Sequence, residues 1–463
     1  MPAIVTKDFR VHNARQFLES FSESADTYYL GIGRPQAFAN DQAFNDGTDT
    51  SPPTPVDSVG SVEYYVYDDI LSAKKVTSSD ISLVIPRRNW TTGTVYDYYR
   101  HDYGEINSAG SAITTDSGAS TLLDATFYVM NSTFDVYKVI DNNGGAASTT
   151  EPTGNKTTSV FSTADSYKWK YMYSLTASEQ ANFMSTDFIH VSTNASDIST
   201  TAGAIEHVKI TAGGSGGSNG TYTGVAIRGD GSSGECTVVV SSNAVTSVTI
   251  TTAGSGYTYA SVKASDIGNV SGADIDFIIS PPGGHGSDAI AELGGFFVMM
   301  NVDFTQGDGS GDFNTTNDFR RIVLLRNPTD STTGSTATAT TLDGTKSITF
   351  SGTPGSFQAD EKITQATSGA VGFVVDFNST TKVLRYIQPQ FTNQGVDSDG
   401  NLTAFSSTNT VTGATSSATG TPSSHDTTPE LTADTGDILY IENRKPITRA
   451  SDQTENVKLI VEF

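Results

Sequence analysis

The clearest pattern in the chain is at its carboxyl end, where Val457, Leu459, Val461 and Phe463 alternate with Lys458, Ile460 and Glu462. That period of two belongs to a strand tied into a sheet. Runs dense in aromatic and β-branched residues predict further strands at 27–32, 81–85 (stopped by Pro86), 126–130, 134–140, 167–175, 296–304, 319–326 and 437–442. Helical spacing is rarer. Phe17, Leu18 and Phe21 share one face of a helix over 13–23. After the Pro-rich turn 51–55, Asp57 or Ser58 can cap a helix carrying Val59, Val62, Val66 and Ile70. Thr176 and Glu179 have capping-box spacing, which predicts a short helix to about Met184. Ser287 can cap another, ended by Gly294 and Gly295.

From about Gly203 the composition shifts to Gly, Ser, Thr and Val, and the stretch 208–213 is echoed by 248–254. Each copy leads to a Gly-rich turn and a strand headed by Tyr, at 222–227 and 257–262, so 203–282 reads as a small duplicated β-module. A second Thr/Ser/Gly-rich block covers 329–428, with strands expected at 347–350, 372–377 and 382–387 and a loose linker over 406–428. Two β-modules thus interrupt a host made of 1–202, 283–328 and 429–463. The expected class is α+β and β-dominant: a mixed host of β-layers with a few short helices, carrying two inserted small β-modules. Such insertions need exposed host loops near 203 and 329.

Composition narrows the function. A chain of 463 residues exceeds one hydrophobic core, and 19 Tyr with 23 Phe supply the buried area that a low aliphatic content lacks. A net charge of -24 repels phosphate backbones and anionic membranes, so neither nucleic acid nor membrane is expected as a partner. No apolar stretch is long enough to cross a bilayer, and Met1 to Arg10 lack the apolar core of a secretion signal. The lone Cys236, set among valines, reads as a small core residue.

Short motifs give no chemistry. The G-x-S-x-G letters at 213–217 and the G-x-G-x-x-G letters at 229–234 both lack the helix their chemistry requires, so both read as turns. Asp397 and Asp399 could offer oxygens to calcium, but Thr408 stands where an EF-hand needs Glu, and the six scattered His form no zinc nucleus. No cofactor is expected. A carboxylate pair for polysaccharide cleavage is a spatial matter that acid abundance leaves undecided.

Six blocks carry a resemblance to a known family: 4–10 (Ile4 to Arg10), 31–34, 52–59, 85–90 (Ile85-Pro86-Arg87-Arg88-Asn89-Trp90), 319–328 and 436–455. In this order they resemble the gene product eight type of baseplate wedge subunit in T-even-like contractile-tailed bacteriophages. The stretch 281–288 looks like text from marine members, which points to a cyanophage. The resemblance implies a virion tail baseplate protein, assembled in the host cytoplasm, without cofactor. It implies a homodimer that binds other wedge proteins and moves with them when host attachment triggers contraction.

Against the acidic background, Arg87, Arg88, Arg320, Arg321, Arg444, Lys445 and Arg449 stand out, all in or beside those blocks. They read either as charge-assisted contacts across subunit interfaces or as internal ion pairs holding host loops together. Trp90 reads as a contact anchor or as core. One rival function is a host-surface glycan-binding tail protein that stacks sugar on Tyr222, Tyr257 and Tyr259; another is a polysaccharide-cleaving enzyme.

Overall fold

A computed structural model describes residues 6–23, 25–38, 47–55, 66–106, 110–119, 121–154, 156, 160–193, 201–304, 317–389, 395–399, 401–448 and 455–463. The chain is β-dominant, built of antiparallel sheets with a few short helices. It divides into two units. One comprises Met1–Gln16, Ser82–Met299 and Ile460–Phe463; the other comprises Phe17–Ile81 and Met300–Leu459.

In the first unit, a four-stranded sheet runs in the order Tyr128–Met130, Asp135–Asp141, Lys168–Ser174, Phe161–Ser162. Its aromatic density, legible in the sequence, becomes packing: Trp169 is fully buried, stacked on Tyr167 at 5.5 Å and met edge-on by Tyr96 at 6.2 Å. The helix Ala177–Phe183 starts on the expected box, with Thr176 Oγ1 accepting from Glu179 N and the Glu179 carboxylate accepting from Thr176 N. Ala289–Leu293 forms the next helix, but Asp288 rather than Ser287 is its cap, its carboxylate accepting from Ala291 N. Gly294 ends it at φ 83°, a left-handed conformation that favours glycine. The carboxyl-terminal strand is Glu455–Glu462, and its Val457 and Leu459, which belong to the second unit, are buried.

The stretch from 205 to 279 has its own core of Val225, Ile227, Cys236, Val238, Val240 and Phe277 among others. The echoed segments lie in the strands Ile205–Ser215, paired with Ser271–Ile279, and Ala244–Ser255, paired with Ser232–Ser241. Burial pushes the Cys236 thiol up to about 11, which fits a core side chain. The echo is imperfect. Gly220–Ala226 is the strand expected from the first tyrosine, whereas only Ala260–Ser261 is a strand in the second copy. Tyr257 instead turns into the core, its hydroxyl donating to Ile227 O and accepting from Gly234 N.

In the second unit, five strands lie in the order Thr341–Asp343, Ile70–Val76, Tyr28–Gly33, Phe319–Arg326, Asp437–Ile447. Tyr28–Gly33 is buried along its whole length between two partners. Helix Lys7–Ser20 begins six residues before the expected 13–23 and stops before Phe21, which stacks on Tyr28 at 4.0 Å. The helix expected to reach Ile70 falls mostly on residues outside the described ones. Where the chain is described, Ile70 opens a strand after the single turn Tyr67–Asp69.

A second sheet of this unit corrects the linker reading of 406–428. Its seven strands run Thr419–Gly420, Val411–Gly413, Lys362–Gln365, Ala370–Asn378, Val383–Ile387, Lys346–Phe350, Pro422–Asp426. The two strands at opposite ends of that order are separated in sequence by Thr421 alone, so the sheet must curl until its ends meet. Ser351 closes the seam by donating from N to Thr421 O at 2.9 Å. Inside lie Ile348, Phe350, Ile363, Val374, Leu384, Tyr386 and Phe405. Gly420 is needed here because a Cβ would come within 2.6 Å of the Phe350 ring. Strands this short and rich in small residues carry no readable period, which is why composition alone suggested a linker.

Candidate subunit interface

The basic candidates are held in different ways. Arg87 follows the strand Ile81–Pro86, its Nε donating to Asn89 Oδ1 at 3.0 Å and its Nη1 to Ser185 O at 2.8 Å. Arg88 donates to Leu123 O at 3.1 Å and sits 4.8 Å above the Tyr128 ring. Both bind backbone carbonyls or a ring rather than carboxylates. Trp90 is half-buried, its indole N–H donating to Ser148 Oγ at 3.1 Å.

Arg320 and Arg321 sit side by side on the strand Phe319–Arg326 and both meet acids. Arg320 forks onto the two Asp49 oxygens at 2.9 and 3.0 Å, and that hydrogen bonding holds the Asp49 carboxyl below the usual carboxylate range. Arg321 Nη1 lies 2.8 and 3.0 Å from the oxygens of Asp69, and its Nε donates to Asn443 Oδ1. Asp69 is 2 % exposed, and Arg34, equally buried, lies 3.7 Å from it on another side. A single buried carboxylate thus faces two guanidinium groups, that of Arg34 buried and that of Arg321 partly buried. The sequence reading did not select Arg34 or Asp69, although Gly31 to Arg34 is one of the blocks that carried the resemblance.

Arg444 and Lys445 lie on Asp437–Ile447, the last strand of the five-stranded sheet. Arg444 is 42 % exposed in its side chain and 3.9 Å from Glu442, two residues earlier on the same face of the strand, while Lys445 is exposed. Leu439 and Tyr440 of the same strand are exposed large hydrophobic residues. Arg449 lies outside the described residues.

A second internal pair escaped the sequence reading. Lys138 and Glu292, both buried, form an ion pair, and Glu292 also accepts from Gly286 N at 2.8 Å and Asp288 N at 3.2 Å. Burial pulls the Lys138 pKa down, against the pull of Glu292. Nothing local in the sequence marks two residues so far apart as partners.

The sites considered for other chemistry take simple forms. Asp397 Oδ1 accepts from Asp399 N and Asn401 N at 2.9 Å, closing its own turn, and no group of metal ligands occurs among the described residues. The strand Ile205–Ser215 runs through Gly213 and Gly214. The three-tyrosine glycan platform does not form: Tyr257 is buried, Tyr222 is half-buried with its hydroxyl on Ser218 O, and Tyr259 alone of the three is well exposed.

The Bacteriophage T4 Gp8 family model matches residues 3–149 and 393–463. Over these two segments, 218 of the 463 residues, the chain is similar to the Gp8 family. Among its relatives is the baseplate wedge protein gp8 of Enterobacteria phage T4, 26% identical over 205 residues, which is 41% of this chain and 60% of that protein. The aligned part therefore spans about three fifths of the curated relative's length. Arg87, Arg88, Trp90, Arg444, Lys445 and Arg449 fall within the segments matched by the Gp8 model, whereas Arg320 and Arg321 do not. The whole 205–279 core and the barrel strands from Lys346 to Ile387 also lie outside the match, while the barrel strands from Val411 to Asp426 lie inside it.

Proposed function

We propose that this chain is a structural subunit of the baseplate wedge of a contractile phage tail, working as a homodimer that binds other wedge proteins and follows the baseplate as it rearranges on host attachment. The observation that carries the reading is the Gp8 match at both ends of the chain, joined to the printed role of the T4 relative. It is supported by how the strongest charges are used: Arg320, Arg321 and Lys138 pair with acids of the same chain, Asp49, Asp69 and Glu292, and so serve the fold. On this reading the protein resides in the virion tail baseplate, is assembled in the host cytoplasm, and needs neither nucleic acid nor membrane. The stretch 203–282 is read as a module inserted into the family host; of the second module, 329–428, the part from 393 onward falls within the family match.

Native mass measurement tests this directly. The purified chain is expected at twice 48.8 kDa, and in heavier complexes when mixed with the other wedge proteins. A chain that joins none of them overturns the wedge reading.

Arg87 and Arg88 can be placed by reversing both charges. Because their donors bind Ser185 O and Leu123 O, the double variant is expected to unfold more easily by about 1.5 to 3 kcal/mol per lost charged hydrogen bond, seen in chemical denaturation. Unchanged stability together with failed wedge assembly would instead assign both residues to a subunit contact.

A further inference from the structure

Asp437–Ile447 is an edge strand of eleven residues. One side pairs with Phe319–Arg326; among the described residues nothing pairs with the other side. An unpaired edge offers a row of N–H and C=O groups to any extended chain that approaches, and natural proteins commonly blunt such edges with charge or proline. Here the single proline is Pro446, near the end, and Leu439 and Tyr440 stand 43 and 38 % exposed.

The charges on this strand are arranged differently from a simple block. Asp437 and Glu442 are balanced by Arg444 and Lys445, so a strand within a chain of net charge -24 is itself neutral. Two copies of the chain repel each other over most of their surface, but not here. The order of the charges also matters. In an antiparallel pairing of the strand with itself, centred on Asn443, Glu442 lies opposite the second copy's Arg444, and two-fold symmetry repeats the pair. Around Asn443 the same register sets Ile441 opposite the aliphatic stem of Lys445; the strand's own pairing with Phe319–Arg326 shifts at Leu439 and again between Asn443 and Ile447, so the self-paired ladder is confined to the segment around Asn443.

We propose that this edge is where a second copy of the chain joins, extending the five-stranded sheet across a two-fold axis in the register that pairs Glu442 with Arg444. The inference rests on the homodimer reading above and adds the surface, the register and the charge pair to it.

Charge swaps in the full chain test it. Glu442→Arg places two arginines opposite arginines, and Arg444→Glu places two glutamates opposite glutamates, so each single variant is expected to dimerise on the order of tenfold more weakly. Mixing the two single variants restores both attractive pairs, and a mixed dimer should form with wild-type affinity. The double variant should also recover. Rescue by mixing cannot come from chains that merely failed to fold.

Single variants that dimerise as well as wild type, or weakened variants that stay apart when mixed, would overturn the proposal. A wild-type chain that is monomeric alone would overturn it too. Binding to the other wedge proteins, measured on the same samples, decides the wedge reading separately.

Discussion

Glu292→Gln is expected to lower the unfolding free energy of the first unit by about 3 to 5 kcal/mol near neutral pH, the usual cost of leaving one member of a buried ion pair without its counter-charge. Gln keeps an oxygen for Gly286 N, so the loss falls on Lys138. Lys138 sits on the strand Asp135–Asp141, opposite Lys170, and is fully buried. Trp169, next to Lys170 in the partner strand, makes fluorescence a local readout.

The pH dependence has a definite sign. Burial lowers the folded pKa of Lys138 below its ordinary 10.5, so the unfolded chain binds more protons between those two values, and stability rises with pH across that window. Part of the deficit of the Gln variant should return as pH climbs toward about 10.5. Adding Lys138→Met removes the stranded charge while Gln still accepts from Gly286 N, and the double variant should be clearly more stable than the single at neutral pH. Equal losses at all pH values, with no recovery in the double variant, would mean that the two residues are not coupled.

Asp69→Asn has the second large expected effect. The carboxylate faces Arg321 at 2.8 Å and Arg34 at 3.7 Å with almost no solvent access, so neutralising it leaves two guanidinium groups facing each other. A loss of about 3 to 5 kcal/mol is expected. Both tryptophans, Trp90 and Trp169, lie in the other unit, so fluorescence is the wrong probe. Hydrogen exchange of the Phe319–Arg326 amides, which should quicken, is the right one. Protection unchanged from wild type would show that the acid does not hold the two arginines.

The Asp69 cluster also shows where sequence reading stopped. Arg320 and Arg321 drew attention as adjacent cations in an acidic chain, and the alternatives of internal pairing and subunit contact were open. The structure supplies internal partners in Asp49 and Asp69. These lie more than 200 positions away in the chain, and no local pattern connects them. Leu439 and Tyr440 are a similar case: the strand was legible, but its being an edge is a property of the sheet order.

What the sequence by itself determined is local. Alternating and aromatic-rich runs placed most long strands to within a residue or two, because the side chains of a strand point to opposite faces with a period of two. The capping box at Thr176 was legible because both hydrogen bonds close within three residues. Blocks at the two ends and in the middle carried the resemblance to the Gp8 type. Tertiary structure alone decided the pairing: that Tyr28–Gly33 lies between Ile70–Val76 and Phe319–Arg326, that residues 411–426 complete a barrel, and that Tyr257 turns inward. A period of two names the buried face of a strand but not its neighbour, which is chosen by the packing of the whole unit.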